Sequence, residues 1–223
     1  VGTFMREWLS LYDSKSGERG IYNGMSAKKT IEQLNERYKD EDGKFITRRI
    51  VREDFGTNPC SEIILRSREF CNLSECVVRR EDTRESLKEK VRTAAILGTF
   101  QSTLTEFKYL SREWKKNCDE ERLLGVSLTG IMDNPLTNGS KKGLDKLLEE
   151  LRDIAYETNK EWADKLGIPT SAAITCVKPS GTVSQLVDSA SGIHARHNPY
   201  YIRTVRADNK DPLCKMMKGA NFP

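Results

Sequence analysis

The sequence lacks long apolar runs, and this absence excludes a membrane-embedded protein. No apolar stretch approaches the roughly 20 residues that a membrane-spanning helix requires. No signal peptide precedes the first predicted helix. We therefore expect a soluble, cytoplasmic protein with no membrane partner.

The sequence also lacks blocks of charge of one sign. Its 37 lysine and arginine residues and 33 aspartate and glutamate residues give a formal net charge of +4, and the two signs are interspersed along the chain. No basic run alternates with aromatic residues in the way that binders of single-stranded nucleic acid need. The charge pattern predicts a solvated surface and no direct binding of nucleic acid.

Cysteine is sparse, with six residues in 223, and no two of them form a Cys-x-x-Cys pair. This number is too small for a disulfide scaffold in a chain of this length. A structural zinc site is conceivable from Cys71, Cys76, His194 and His197, but the cysteine spacing is wider than that of the usual zinc hairpin. We therefore assign no metal ligands.

Internal repeats and low-complexity tracts are absent, and so is an initiator methionine. The chain opens on Val1 and closes on Pro223 without a tail or a capping pattern. We therefore expect an internal piece of a longer protein that lacks its N-terminal and C-terminal parts.

Hydrophobic periodicity predicts short strands that alternate with helices. A capping box at residues 82–85 begins one helix, and the other predicted helices cover residues 3–12, 26–38, 119–124 and 144–166. The predicted strands cover residues 45–51, 63–65, 73–78, 125–131, 172–177 and 201–205. This alternation predicts an α/β architecture with a largely parallel sheet.

Two of these helices have clear apolar faces. The helix after the capping box should bury Leu87, Val91, Ala94, Ala95 and Leu97. The longest helix, stopped by Gly167 and Pro169, carries a stripe of Leu144, Leu147, Leu148, Leu151, Ile154, Ala155 and Trp162.

Residues 24–52 have far fewer apolar anchors. Ile31 and Leu34 are the only ones on the helix for which Ser26 is the expected N-cap. We therefore predict that residues 24–52 form a surface excursion.

The stretch from Asn58 to Glu62 carries an amide, a thiol and a carboxylate. If it is extended, the period of two places Asn58, Cys60 and Glu62 on one face, and Cys71 follows eleven residues after Cys60. A partly buried structural cysteine would explain so short a pattern equally well.

A second signal comes from the turn Lys178 to Thr182, which follows a predicted strand. It offers backbone N–H groups, two hydroxyls and a cation, which suit a phosphate. The order of glycine and lysine differs from that of the Walker motif, and a generic turn remains an alternative.

Together these motifs resemble the catalytic core of the ribonucleotide reductases. The resemblance is to the class II, adenosylcobalamin-dependent, monomeric ribonucleoside-triphosphate reductases, and the eleven-residue gap between the cysteines favours class II over class I. It covers nearly the whole chain except residues 24–52. The matching segments are residues 55–63, 71–75, 124–133, 178–185 and 191–194.

The resemblance implies a fold and a set of roles. The chain would form the central part of a ten-stranded α/β barrel, with residues 1–223 in a single catalytic domain. Cys60 matches the cysteine that carries a thiyl radical, Glu62 the general base and Asn58 the residue that orients the substrate.

Further roles concern electrons and phosphates. Cys71 matches one cysteine of the redox pair, whose partner would lie earlier than this chain begins; Cys76, Cys118, Cys176 and Cys214 are interpreted as structural. Pro179, Ser180, Gly181 and Thr182 match the substrate-phosphate site. In the neighbouring loop, Ala195 stands where relatives often have proline, and His194 and His197 are interpreted as structural or surface residues.

The implied cofactor is adenosylcobalamin. The implied partners are a ribonucleoside triphosphate, a thioredoxin-type reductant and deoxynucleoside triphosphate effectors that would bind missing regions of a monomeric enzyme. Two alternatives stay open: a class I or diphosphate-using class II reductase core, and a non-catalytic nucleotide-binding or assembly piece of a split reductase.

Overall fold

The structure is a computed structural model that describes residues 1–15, 20–39, 42–52, 54–202 and 204–222. Its α-helices are α1 (Gly2–Ser14), α2 (Gly24–Asn35), α3 (Arg84–Gln101), α4 (Arg112–Glu121), α5 (Leu144–Leu166), α6 (Val183–Leu186) and α7 (Pro212–Gly219). Its strands are β1 (Gly56–Thr57), β2 (Ile64–Leu65), β3 (Asn72–Val77) and β4 (Leu124–Thr129), and a 3₁₀ turn covers Ile131–Asp133.

The strands form a short hairpin and a parallel pair. β1 pairs with β2 in the antiparallel sense. β3 pairs with β4 in parallel over six residues, with Leu73 opposite Gly125 and Cys76 opposite Leu128. A parallel bridge between Val126 and Thr175 brings the segment before Lys178 alongside β4. The prediction of an α/β fold with parallel pairing is confirmed.

Helices α3 and α5 cover one face of the β3–β4 pair. We call this the helix face; its strand residues are Cys76, Leu124, Val126 and Leu128, which pack against the apolar sides of both helices. The core includes Leu87, Val91, Ala94 and Ala95 of α3 and Leu147, Leu151 and Ala155 of α5. Alternation along the strands turns Leu73, Glu75, Gly125 and Ser127 to the opposite face, which we call the site face.

Two predicted core positions are wrong. Leu97 is 61 % exposed, because α3 turns Gly98 rather than Leu97 towards Leu124; a Cβ on Gly98 would lie 3.4 Å from Leu124 Cδ2. Leu148 of α5 is also exposed. The rest of the α3 face was predicted correctly.

Helix boundaries follow the capping side chains. Asn23, not Ser26, caps α2, since its side chain accepts from the Ser26 backbone N–H. The capping box of α3 joins Thr83 and Ser86 rather than Asp82 and Glu85. α4 lies earlier than the predicted helix at 119–124, and it ends where Arg122 takes a left-handed conformation with φ 43°.

Three predicted strands do not form as strands in the part of the chain that the structure describes. Residues 172–177 make only the isolated bridge at Thr175. Residues 45–51 make only an isolated bridge between Lys39 and Phe45, and residues 201–202 and 204–205 form no strand. The described residues do not include residues 16–19, 40, 41 and 53, nor residue 203 of the last predicted strand.

Polar side chains anchor residues 24–52, the predicted surface excursion. The Tyr38 hydroxyl donates to the backbone oxygen of Ser171 at 2.8 Å, and Arg48 Nε donates to that of Thr170 at 3.0 Å. These contacts join the segment to the chain that follows α5. Among the described helices, none is long and apolar enough to span a membrane.

Candidate active site

Cys60 lies at the tip of the β1–β2 hairpin. The turn closes with a bond of 2.9 Å from the Ser61 N–H to the Asn58 oxygen, and Ser61 takes a left-handed conformation with φ 61°. Asn58 Oδ1 accepts from the Ile63 N–H at 3.1 Å. The expectation of an extended stretch from Asn58 to Glu62 is therefore wrong: the segment is a tight turn, and the Cys60 side chain is exposed on it.

Lys178 connects this turn with the segment that follows the strand-like residues 172–177. Its Nζ donates to Glu62 Oε1 at 2.7 Å and lies 3.9 Å from Cys60 Sγ. Its backbone N–H donates to the Ser127 hydroxyl on the site face at 2.9 Å. The structure thus brings Cys60 and Glu62 together without an extended backbone, through a lysine from a distant part of the chain.

Glu62 is a buried carboxylate with one engaged oxygen. Its side chain is 3 % exposed, and its Oε2 has no hydrogen-bond partner among the described residues. Burial opposes ionisation, but the hydrogen bond from Lys178 and the polar groups of the turn outweigh it and lower the pKa of Glu62 below its ordinary value. The carboxylate is therefore held in its charged form, with one oxygen directed at Lys178.

Cys71 lies just before β3, beside the same site. Burial and the nearby Glu62 carboxylate raise the pKa of the Cys71 thiol. Cys176, interpreted as structural from the sequence, packs against the same small apolar cluster as Cys71. Burial, Glu62 and Cys71 raise the pKa of the Cys176 thiol to about 12. Both thiols are held protonated near neutral pH.

The predicted phosphate loop begins at the site and runs away from it. Ser180 is 3 % exposed, and its hydroxyl donates to Glu75 Oε2 on the site face at 2.6 Å. Gly181 and Thr182 are exposed. The Pro179 oxygen accepts from the Ser191 hydroxyl at 2.8 Å. The structure brings the start of the loop to the site face, and the Ser180 hydroxyl is already occupied there.

The segment 191–194 packs directly under this loop. Gly192 has φ +47°, and a Cβ there would lie 2.6 Å from the Lys178 oxygen. Only glycine meets both conditions without strain. The backbone at Gly192 therefore packs closely against the backbone oxygens of Lys178 and Pro179.

A buried ionic cluster supports the base of the hairpin. Arg49 is 2 % exposed; it pairs with Glu69 at 3.2 Å and with Glu121 at 2.6 Å. Its Nη2 also donates to the Ile64 oxygen of β2 at 2.7 Å. Burial and the neighbouring Glu121 carboxylate raise the pKa of Glu69 to about 8. The cluster ties the excursion, the hairpin and α4 together.

The zinc alternative has no geometric basis in the described residues. Cys76 is buried in the core of the helix face, whereas His194 and His197 are exposed. In that part of the chain, no three histidine, cysteine, aspartate or glutamate side chains are grouped to hold a metal ion.

Comparison with known proteins gives one consistent relationship. No family model matches the chain. The adenosylcobalamin-dependent ribonucleoside-triphosphate reductase of Lactobacillus delbrueckii subsp. bulgaricus is 28 % identical over 192 residues, which cover 75 % of this chain and 26 % of that protein. The enzyme of the same name from Euglena gracilis is 31 % identical over 167 residues, covering 75 % of this chain and 22 % of the relative.

A third relative extends the match along the chain. The enzyme of that name from Lacticaseibacillus paracasei is 28 % identical over an alignment of 242 positions, which covers 96 % of this chain and 30 % of the relative. A crystal structure of a B12-dependent class II ribonucleotide reductase matches with a TM-score of 0.55 and 26 % identity, over 72 % of this chain and 25 % of that one. The chain is a homologue of the class II ribonucleotide reductases.

The resemblance drawn from the motifs is thereby confirmed, and the fold matches part of a class II reductase. The chain spans about a quarter of the length of these relatives. The roles of individual residues of this reductase homologue remain predictions. Lys178, Cys176 and Glu75 were missed as members of the site, although Lys178 had been noted as the cation of the phosphate turn.

Proposed function

We propose that the chain is part of the catalytic core of an adenosylcobalamin-dependent ribonucleoside-triphosphate reductase. The observation that carries the proposal is the contact between two motifs 118 residues apart, where Lys178 Nζ meets both Cys60 and Glu62. A thiol, a buried carboxylate and the start of a loop suited to phosphate lie around one lysine. That is the set of groups which radical reduction of a nucleotide requires.

The proposed reaction converts a ribonucleotide and two thiols into a deoxyribonucleotide, a disulfide and water. Cys60, as a thiyl radical, removes the hydrogen atom from the 3′-carbon of the ribose. Glu62 accepts the proton of the 3′-hydroxyl while the 2′-hydroxyl leaves as water. Cys71 and a second thiol supply two electrons and two protons, Glu62 returns its proton to the 3′-oxygen, and Cys60 returns the hydrogen atom to the 3′-carbon.

The directions of the pKa shifts of Glu62 and Cys71 support this division of roles. A general base must be ionised to accept a proton, and Lys178 lowers the pKa of Glu62. A thiol that donates hydrogen must be protonated, and the pKa of Cys71 is raised. Asn58 accepts from the Ile63 N–H through Oδ1, and its side chain also lowers the pKa of Glu62, so its amide lies beside the carboxylate that would meet the substrate.

Adenosylcobalamin, when bound, supplies a carbon radical by homolysis of its cobalt–carbon bond. The exposed Cys60 thiol fits such a partner, because a bulky group can approach it at the hairpin tip. Pro59 and Ser61 beside it are also exposed, and these three residues would face the cofactor.

The substrate triphosphate would bind at residues 179–182. Ser180 has φ 54°, and a left-handed residue in a turn directs successive backbone N–H groups to one side, as in anion-binding nests. The remaining expectations belong to the complete enzyme: a thioredoxin-type reductant, deoxynucleoside triphosphate effectors, a monomeric state and a cytoplasmic location.

Turnover of the full-length native polypeptide tests the proposal. We expect deoxyribonucleoside triphosphate to form only when adenosylcobalamin is added. Cys60→Ser should abolish product, because a serine O–H cannot replace the thiol as radical carrier, whereas Cys214→Ser in α7 should retain activity.

Three results would count against it. Reduction without cobalamin would favour a class I core. A requirement for diphosphate substrates would favour the other class II type. Full activity of Cys60→Ser would end the radical assignment.

A further inference from the structure

The Glu62 carboxylate at the hairpin is paired with Lys178, whose side chain does not point to where a residue that binds phosphate would be expected to point. Lys178 belongs to the predicted phosphate turn, yet its Nζ points to the Cys60 hairpin instead, at 2.7 Å from Glu62 Oε1. Its side chain is 21 % exposed and that of Glu62 is 3 % exposed. A pair that is partly shielded from water is screened by salt less than an exposed pair.

We propose that Lys178 is a positioning residue for Glu62, which fixes the carboxylate in its ionised form and leaves Oε2 directed at the substrate hydroxyl. This inference deepens the proposed function and rests on it for the identity of the substrate. Oε1 is engaged by Lys178, and Oε2 is buried without a partner among the described residues. A buried polar atom left unsatisfied costs free energy, so Oε2 is suited to a ligand that brings its own O–H donor.

The geometry of Lys178 is itself fixed from two sides. Its N–H donates to the Ser127 hydroxyl on the site face, and its oxygen lies against Gly192, where no Cβ fits. The backbone from which the Lys178 side chain extends is therefore held by contacts that do not involve Glu62. A cation placed in advance can orient the carboxylate without reorganisation during the reaction.

The other groups around Glu62 cannot take over this role. The titratable side chains that face it are Lys178, Cys60, Cys71 and Cys176, and Asn58 adds a neutral amide. Of these, Lys178 is the cation. Glu62 and Lys178 stabilise each other's charged forms, since Glu62 in turn raises the pKa of Lys178. Without Lys178, only the neutral hydrogen bonds of the turn and of Asn58 would oppose burial, so the pKa of Glu62 should rise.

Carbon-13 NMR titration of the glutamate carboxyl groups in the full chain tests the inference without turnover. Glu62→Gln identifies the resonance of Glu62. In the wild type we expect its titration midpoint below those of exposed glutamates, and in Lys178→Met we expect it to move upward. Lys178→Arg should keep it low, because the charge is retained, and Lys115→Met, which removes a surface lysine paired with Glu106, should not move it.

A reciprocal measurement covers the case in which Lys178→Met does not fold. In Glu62→Gln, the Lys178 side-chain resonance should titrate at lower pH than in the wild type. An unchanged Glu62 midpoint in folded Lys178→Met would overturn the inference. So would a wild-type midpoint at or above that of exposed glutamates, or an unchanged Lys178 titration in Glu62→Gln.

The inference and the proposed function fail in different ways. In the full-length enzyme, Lys178→Met should move the acid limb of the kcat/KM profile to higher pH, because the base must be ionised. If Cys60→Ser abolishes turnover but the Glu62 titration midpoint is the same in Lys178→Met as in the wild type, only the positioning role fails. If the midpoint moves but Cys60→Ser stays active, the radical function fails and the Glu62–Lys178 pair remains.

Discussion

The two faces of the β3–β4 pair are built from the same two strands but held in different ways. The helix face is an apolar core that packs under α3 and α5. The site face carries Glu75, Gly125 and Ser127, and it is covered by two segments that arrive from elsewhere, the Cys60 hairpin and the Lys178 turn. The helix face is stabilised by burial of a large apolar surface, whereas the site face combines a smaller apolar cluster, which includes Leu73 and Cys176, with several polar contacts.

Strained backbone and buried charge both occur in the segments over the site face. Two of the left-handed non-glycine residues, Ser61 and Ser180, lie in these segments. The buried ion pairs of Glu62 and Arg49 lie there or beneath the hairpin. Strained backbone and buried charge cost free energy, and they persist where surrounding structure holds them in place.

The hairpin over the site face rests on the buried ionic cluster at its base, and removal of Arg49 from this cluster should have the largest effect on stability. Arg49→Met leaves Glu69 and Glu121 with one fewer cation in a buried cluster. We expect a loss of about 3–5 kcal/mol in the free energy of unfolding, the range for breaking a buried ion pair from one side. Urea unfolding measures it.

Arg68→Met provides the matched control for that variant. Arg68 pairs with Glu113 on the surface, where both side chains are about half exposed. Removing such a pair should change stability by only about 0–1 kcal/mol. Equal losses in the two variants would mean that the buried cluster does not support the hairpin.

The helix face is tested by a cavity. Leu87 of α3 is completely buried in the core, and Leu87→Ala should cost about 2–5 kcal/mol, because the surrounding side chains collapse only partly into the space. Leu97→Ala, ten residues later on the same helix but exposed, should stay within about 0.5 kcal/mol of the wild type. Thermal and urea unfolding compare them, and a costly Leu97→Ala would restore the original expectation that Leu97 is a core residue.

The close contacts of the site face are tested by adding one methyl group. A Cβ at Gly125 would lie 2.4 Å from Leu73 Cδ2 and 3.1 Å from Cys176 Sγ. Gly125→Ala should therefore destabilise the protein by about 1–3 kcal/mol through overpacking. Gly56→Ala in β1 meets nothing within 4 Å and should have a much smaller effect. If both variants unfold at the same urea concentration, the site face is not tightly packed at Gly125.

The sequence was most informative about the helix face. Leu87, Val91, Ala94 and Ala95 follow the helical period, and their burial is set by contacts within one helix and one sheet. Gly167 marks the end of α5 because a residue with φ 65° closes the helix there. Periodicity and glycine conformation are local properties, so they can be read without knowing the rest of the fold.

The site was predictable in its residues but not in its geometry. Cys60 and Glu62 were expected to meet through the alternation of an extended strand, yet a tight turn at Ser61 and a lysine 116 residues from Glu62 bring them together. The anchoring of residues 24–52 was equally hidden, because Arg49 is hydrophilic and no local pattern indicates a buried arginine. Both depend on tertiary contacts between distant segments.

The smallest expected effect concerns the connection between β3 and α3, at the edge of the helix face. Burial opposes ionisation of Asp82, but hydrogen bonds from Lys90, the Arg79 N–H and Ser86 outweigh it and lower the pKa of Asp82. A carboxyl group whose pKa is lower in the folded state stabilises the protein above its unfolded-state pKa, and this contribution is lost as pH falls through the folded-state pKa. The unfolding free energy of the wild type should therefore fall more steeply on acidification than that of Asp82→Asn, as measured by urea unfolding at a series of acidic pH values. Parallel curves for the two proteins would show that Asp82 adds no pH-dependent stability, and that burial alone holds this edge of the helix face.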